Sequence, residues 1–200
     1  MVRMRSWVQI PVVAPKRSEI ANILPMIHIL FFSSIIALSI GLLYLVKKWP
    51  DGGIHATFSH HAASTDNATK YYVSLFLATL PPFVIWFVIW FVPRLDLPMA
   101  AVAMVCTAAL AQIWAAAVPE RSPTISRHRA ITGLSIAGIL SVTSMVVYAS
   151  QSWLMGFCLV CMLIILVYAA SRGDRSRYPL LLQAGFYTMF FVALGSFIAA

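Results

Sequence analysis

Residues 97–118 read LPMAAVAMVCTAALAQIWAAAV, a run without a charged side chain. A helix needs about 20 mostly apolar residues to cross a bilayer, and this run is long enough. It is also rich in small residues, which is typical of membrane helices that pack closely against one another. The run therefore predicts one transmembrane helix and prompts a search for others like it.

The rest of the chain resembles this run in composition. Of its 200 residues, 61% are hydrophobic and 10% charged, whereas a soluble domain is nearer half apolar and a quarter charged. We predict an all-α fold, a polytopic integral membrane bundle of six transmembrane helices forming one domain over residues 20–200, preceded by an extension over residues 1–19. The six predicted helices cover residues 20–46, 71–92, 97–118, 131–149, 153–170 and 179–200.

The N-terminal extension is unusual. Its segment WVQIPVVAP lacks the long apolar stretch of a signal peptide. Back-translated, residues 8–11 (VQIP) can be written GTTCAAATCCC, the sequence of a transfer-RNA T arm. We therefore hypothesise that translation begins further along, at Met26 for example.

The positive charges are unevenly distributed between the connections. Nine Lys and Arg residues follow the first, third and fifth predicted helices, against five in the remaining connections and the N-terminus. The positive-inside rule then predicts cytoplasmic odd-numbered loops, with both termini outside. No basic face suited to nucleic acid is visible. The nine residues are Lys47, Lys48, Lys70, Arg121, Arg127, Arg129, Arg172, Arg175 and Arg177.

A histidine-rich loop, HATFSHHAASTDNATKYY, covers residues 55–72. His55, His60 and His61, with Asp66, are residue types that bind zinc, and a zinc-bound water could serve a hydrolase at the membrane surface. The three histidines match no ligand signature such as HExxH. The sequence therefore favours a solvated loop, and no metal site is predicted.

A CxxC motif lies in the fifth predicted helix, in GFCLVCM. Cys158 and Cys161 resemble, locally, the membrane-embedded redox motif of the vitamin K epoxide reductase family, which works beside a quinone. That chemistry needs a second cysteine pair in an outer loop, and the remaining cysteine, Cys106, is single and within a span. Cysteine is also an ordinary small apolar residue, so packing is the favoured interpretation.

The arginine clusters RSPTISRHR and SRGDRSR face the same side. They hold the loops inside, and they could also bind the phosphate of an anionic lipid. Gln112 and Gln183 are the amides at depth, and each is predicted to bond a neighbouring helix. The candidate lipid-binding residues are Asp66, His128, Arg121, Arg127, Arg129 and Arg175.

The order of features resembles the six-helix DRAM and FGF-receptor-activating-protein-like membrane families, and an uncharacterised bacterial family of similar layout. They share a Ser/Thr-Asp element before helix two, a Pro-Glu end to helix three, and a His near the start of helix four. The resemblance implies an integral membrane protein, with some relatives linked to lipid remodelling or trafficking. It also implies an outer first loop, against the charge distribution. The matching residues here are Ser64, Thr65, Asp66, Pro119, Glu120 and His128.

The leading functional prediction is a membrane protein of unassigned chemistry that binds or handles lipid at the face of the odd loops. One alternative is a thiol–quinone oxidoreductase using Cys158 and Cys161. Another is an accessory subunit that packs in a larger membrane complex or with its own copies. No complete catalytic motif supports an enzyme, no cofactor motif is present, and no charged residue inside a span indicates a transport path.

Overall fold

The computed structural model describes residues 17–121, 123–172 and 178–199, with the side chains of residues 27–121, 123–172 and 178–198. The predicted N-terminal extension lies mostly outside these residues, and so does Arg175. Within them the protein is all-α, as predicted. Seven helices are present: α1 (Arg17–Lys48), the short α2 (Phe58–Ala63), α3 (Asp66–Arg94), α4 (Met99–Ala117), α5 (Ile125–Ser150), α6 (Trp153–Arg172) and α7 (Pro179–Ala199).

Six of these helices, all except α2, are long and apolar enough to cross a membrane. Large apolar side chains cover their outer surfaces; Leu43 is 71% exposed and Val167 is 68% exposed. Such a surface suits hydrocarbon rather than water. The chain is therefore a polytopic membrane protein, as the sequence predicted.

Helices α3 and α5 begin earlier than their apolar runs. The Thr65 hydroxyl accepts a hydrogen bond from the Ala68 backbone N–H, which starts α3 at Asp66. Such a cap satisfies an N–H that the helix itself leaves free. Helix α5 starts at Ile125, so that His128 lies in its first turn. Polar residues thus extend both helices beyond the membrane-spanning part.

Helix α3 continues through Pro81 and Pro82. Its hydrogen bonding departs from the α pattern further on, in a π-helical turn over Phe87–Phe91. There the Val92 N–H donates to the Phe87 carbonyl, five residues back. Phe87 and Phe91 are fully buried and stack with ring centroids 5.2 Å apart, which fixes this turn in the core.

The bundle is held by neighbouring helices that pack in chain order. Helix α1 packs against α3, α3 against α4, α4 against α5, and α6 against α7. Gln151, in the left-handed conformation at φ 53°, ends α5 and separates it from α6. This confirms the predicted division of the apolar run over residues 131–170. The C-terminal ends of α1, α4 and α6 therefore lie at one end of the bundle.

Candidate functional site

Several polar side chains contact one another at this end, which we call the loop face and define as residues 49–65, 118–121, 123–124 and 178. Glu120 is its central acceptor. The Glu120 Oε2 atom accepts hydrogen bonds from the Thr57 hydroxyl at 2.6 Å and the Ser59 hydroxyl at 2.5 Å. Thr57 also accepts from the His60 N–H and thereby caps α2. A single carboxylate therefore joins the connection after α4 to the start of α2.

Arg121 makes the second link between these loops. Its Nε atom donates to the Ala63 carbonyl at the end of α2. Its guanidinium lies 3.7 Å from the Asp66 carboxylate, and the two side chains are 42% and 89% exposed. An exposed pair of this kind contributes little to stability. Arg121 and Asp66, both candidate lipid ligands, therefore lie next to each other. The hydrogen bond from Arg121 to the Ala63 carbonyl contributes more to this arrangement than the exposed ion pair does.

His61 is fully buried and binds the backbone of its own loop. Its Nε2 atom lies 3.0 Å from the Gly53 carbonyl, and its Nδ1 atom lies 3.0 Å from the Asp51 N–H and 2.9 Å from the Trp49 carbonyl. Both ring nitrogens therefore lie within hydrogen-bonding distance of backbone groups of this loop. His61 therefore orders the connection between α1 and α2.

The other two loop histidines have different partners. The His60 Nε2 atom lies 3.6 Å from Asp51 Oδ2, and the His55 ring stacks on the Tyr178 ring at 5.8 Å. In the part of the chain that the structure describes, no three His, Cys, Asp or Glu side chains are placed to hold a metal ion. The side chains of the three loop histidines therefore have different partners and do not converge on one point. These histidines are His55, His60 and His61.

His128 is 5% exposed and serves the end of a neighbouring helix. Its Nδ1 atom lies 2.7 Å from the Val118 carbonyl and 3.0 Å from the Ala115 carbonyl, at the C-terminus of α4. The last carbonyls of a helix lack partners within the helix. An Nδ1–H donor supplies one, so His128 couples the end of α4 to the start of α5.

The remaining arginines of the candidate set point elsewhere. The Arg127 guanidinium lies 5.5 Å from the centroid of the Trp114 ring, a cation–π contact between α5 and α4. Arg129 is exposed on α5, one turn before Thr132. The five candidates within the described residues therefore do not form one cluster: Arg121 and Asp66 lie together, while Arg127, His128 and Arg129 follow one another at the start of α5 and point in different directions.

The cysteines are free thiols. Cys158 is 1% exposed and packs in the apolar core with Met155 and Met162, while Cys161 is partly buried on the same helix. Cys106 packs against the same core from α4. These positions suit the packing interpretation, and the oxidoreductase alternative stays a prediction.

A groove that sequence reasoning missed runs between α5, α6 and α7 and has a volume of about 240 Å³. Its walls are apolar, with Ile136, Ile165 and Phe186 among them, and it reaches the loop face at Thr57. Thr132 and Gln183 line it as well, and the Gln183 side chain accepts a hydrogen bond from the Phe58 N–H at 3.0 Å. The sequence carries no specific signal for this groove, because Thr132 and Gln183 are two of several polar residues in α5 and α7.

Gln112 and Gln183 confirm the prediction made for them. The Gln112 carbonyl oxygen accepts from the Ser135 hydroxyl of α5 and the Tyr187 hydroxyl of α7, and Gln183 binds the N-terminus of α2.

No family model, no curated protein and no solved structure matches the chain. The resemblance to the DRAM and FGF-receptor-activating-protein-like families therefore stays a prediction from short motifs.

Proposed function

We propose that the protein binds an anionic membrane lipid at the loop face. The acyl chain lies in the groove between α5, α6 and α7, and the phosphate lies beside Arg129 and Arg172. The observation that carries the proposal is the groove itself: an apolar trough that opens next to basic residues at the end of the bundle.

Helical spacing places both arginines at the groove's open end. Arg129 lies three residues before Thr132 and seven before Ile136, and both of these line the groove. Arg172 lies three residues after Ala169 and seven after Ile165, which line its opposite wall. Residues three, four or seven apart share one face of a helix, so each arginine continues a wall of the groove.

The chemistry of the two side chains suits a phosphate. A guanidinium can donate two parallel hydrogen bonds to phosphate oxygens, and basic pockets between helices on the cytoplasmic side bind anionic headgroups. The charge distribution predicts that the loop face is cytoplasmic. Asp66 and His128 have other roles in this proposal, because Asp66 would repel a phosphate and His128 is buried between α4 and α5.

Lipid retention in nanodiscs tests the proposal. Native mass spectrometry should show the purified chain retaining phosphatidylglycerol in preference to phosphatidylcholine with the same acyl chains. The double variant Arg129→Gln, Arg172→Gln should lose roughly tenfold in this preference, the effect of about 1.4 kcal/mol of charge-assisted bonding. Ala169→Phe, which fills the groove, should reduce retention of both lipids there.

The matched control is Arg94→Gln. Arg94 is an exposed arginine at the C-terminus of α3, at the end of the bundle opposite the loop face. This variant should leave the preference unchanged. Equal retention of the two lipids by the unmodified chain, or an unchanged preference in the folded double variant, would overturn the proposal.

A further inference from the structure

A second, separate space lies inside the bundle. It is a cavity of about 50 Å³ enclosed by α1, α3, α4, α5 and α7, with Phe58 of α2 at its edge. Its lining is apolar except for four side chains, and none of the residues that form it is charged. The four polar residues are Tyr72, Gln112, Ser135 and Tyr187.

Two of these polar groups are buried without a partner. Gln112 is 6% exposed, and its Oε1 atom accepts from Ser135 at 3.2 Å and Tyr187 at 3.0 Å, but its amide nitrogen has no acceptor among the residues that the structure describes. Tyr72 is 2% exposed, and its hydroxyl likewise has no partner within the described ranges. Exchanging the amide O and N of Gln112 still leaves one end of the amide unpaired.

Buried polar groups in folded proteins are nearly always hydrogen-bonded, and in a membrane no bulk water can replace a missing partner. Two unpaired groups on the wall of one cavity therefore indicate a molecule that completes them. An amide N–H requires a hydrogen-bond acceptor, and a phenol hydroxyl can donate or accept. Because no charged side chain lines the cavity, that molecule is uncharged.

A second groove adjoins the cavity on its lipid-facing side. This groove has a volume of about 220 Å³ and runs between α1 and α7. It shares Leu38, Phe58 and Tyr187 with the cavity, and its outer wall includes Leu43, which is 71% exposed. A molecule dissolved in the membrane can lie in this groove and direct one end at Gln112.

We infer that the cavity binds an uncharged, membrane-dissolved molecule with an apolar body and a hydroxyl or carbonyl oxygen at one end. The oxygen accepts a hydrogen bond from the Gln112 amide, and the body occupies the groove between α1 and α7. This site is distinct from the proposed anionic lipid site: it lies between α1 and α7 instead of between α5, α6 and α7, Tyr187 lines both spaces, and it selects against charge.

Photolabelling of the full-length chain in nanodiscs tests the inference. The probe is a long-chain fatty alcohol that carries a diazirine and an alkyne, compared with the corresponding alkane. The alcohol should label peptides from the α1–α7 groove roughly tenfold more strongly than the alkane, because only the alcohol offers an acceptor. Gln112→Leu should abolish this difference.

Two further variants keep the test decisive. Ala109→Leu fills the cavity without removing a polar group, and it should also abolish the alcohol's advantage even if Gln112→Leu fails to fold. Ser141→Ala is the control, because its hydroxyl donates only to the Ala137 carbonyl of its own helix. Equal labelling by alcohol and alkane, or full labelling in folded Ala109→Leu, would overturn the inference and leave the anionic lipid proposal untouched.

Discussion

At the residue scale, single polar side chains at the loop face satisfy backbone groups that helix ends leave open. His128 binds the last carbonyls of α4, and Arg121 binds the last carbonyl of α2. The Thr57 and Thr65 hydroxyls accept hydrogen bonds from backbone N–H groups in the first turns of α2 and α3. These bonds lie where helices leave the membrane, so the polar residues there order the loops whether or not they also meet a ligand.

Replacing His128 by Ala should destabilise the protein by about 2 kcal/mol, because the carbonyls of Ala115 and Val118 lose a buried donor. The measurement is thermal or denaturant unfolding of the purified chain in detergent. Arg127→Ala removes an exposed neighbour in the same turn and is the control, with a much smaller effect expected. Equal losses in the two variants would contradict the capping role.

The sequence predicted part of this residue-scale picture. It indicated that the loops carrying Asp66, Glu120 and His128 share one side, and the bonds between those loops are consistent with this. It did not predict that His128 turns toward α4 or that Glu120 receives two hydroxyls of α2. Such partners depend on how α2 folds back over the bundle, and local sequence spacing does not encode that.

At the scale of helices, small residues decide how closely α4 and α5 approach. A Cβ atom built on Gly138 would lie 2.9 Å from Ala108 Cβ and 3.1 Å from the Met104 carbonyl oxygen, both of which are fixed by α4. Ser135, one turn earlier, donates to the Ala108 carbonyl. Gly133, on the same helix, has no neighbour within 4 Å of its built Cβ position and faces open space.

Gly138→Leu should therefore separate α4 from α5 and cost about 2 kcal/mol or more, the usual penalty of overfilling a close interface. Gly133→Leu, on the same helix, is the matched control and should be close to neutral or stabilising, since Leu favours helix more than Gly does. Unfolding in detergent measures both. A similar loss in the two variants would contradict the close-packing role of Gly138, because Gly133 has no neighbour within 4 Å of its built Cβ position.

The sequence predicted the six spanning helices, but it predicted the residues at which they begin less well. The six apolar runs gave the six spanning helices, because the length of an apolar run is set by the thickness of the bilayer. The short α2 escaped prediction: FSHHAA has no apolar period, and tertiary bonds to Glu120 and Gln183 hold its first turn. The polar first turns of α3 and α5 were assigned to loops for the same reason.

At the scale of the whole molecule, the two ends of the bundle differ in charge and in size. The loop face carries α2 and the long connections, whereas the opposite end has a tight turn over residues 95–98 and the two residues Gln151 and Ser152. The orientation of these ends stays a prediction from the positive-inside rule.

A cysteine-accessibility experiment tests the orientation. On a background with the native cysteines replaced by Ala, Ser152→Cys should react with a membrane-impermeant maleimide in intact cells, and His60→Cys should react only after permeabilisation. Both positions lie outside the spanning core, and His60 is exposed. The reverse pattern would place the loop face outside, as the family resemblance implies, and labelling of both positions in intact cells would contradict the six-span topology.

The native pair Cys158 and Cys161 distinguishes the lipid-binding proposal from the oxidoreductase alternative. If Cys158 and Cys161 only pack, the double variant Cys158→Ala, Cys161→Ala should retain its preference for anionic lipid, with a modest loss of stability from the small cavity left in the core. Thiol trapping in cells should then find both sulfurs reduced throughout growth. A pair that alternates between trapped and untrapped states would support the oxidoreductase alternative.

Co-purification of the chain with other membrane proteins in mild detergent tests the accessory-subunit alternative.

Two hydrogen bonds connect earlier parts of the chain to its last helix, α7. The Phe58 N–H donates to Gln183, and the Tyr187 hydroxyl donates to Gln112. During biosynthesis the ribosome releases α1 to α6 before α7, and until then these partners are missing. A nascent chain halted at that stage lacks the Gln183 acceptor for the Phe58 N–H and the Tyr187 donor for Gln112, and it lacks the α7 side chains Phe186, Phe190 and Leu194 of the core. Nonsense mutations that remove α7 should therefore yield a less stable protein, which a shorter half-life in a pulse–chase experiment would show.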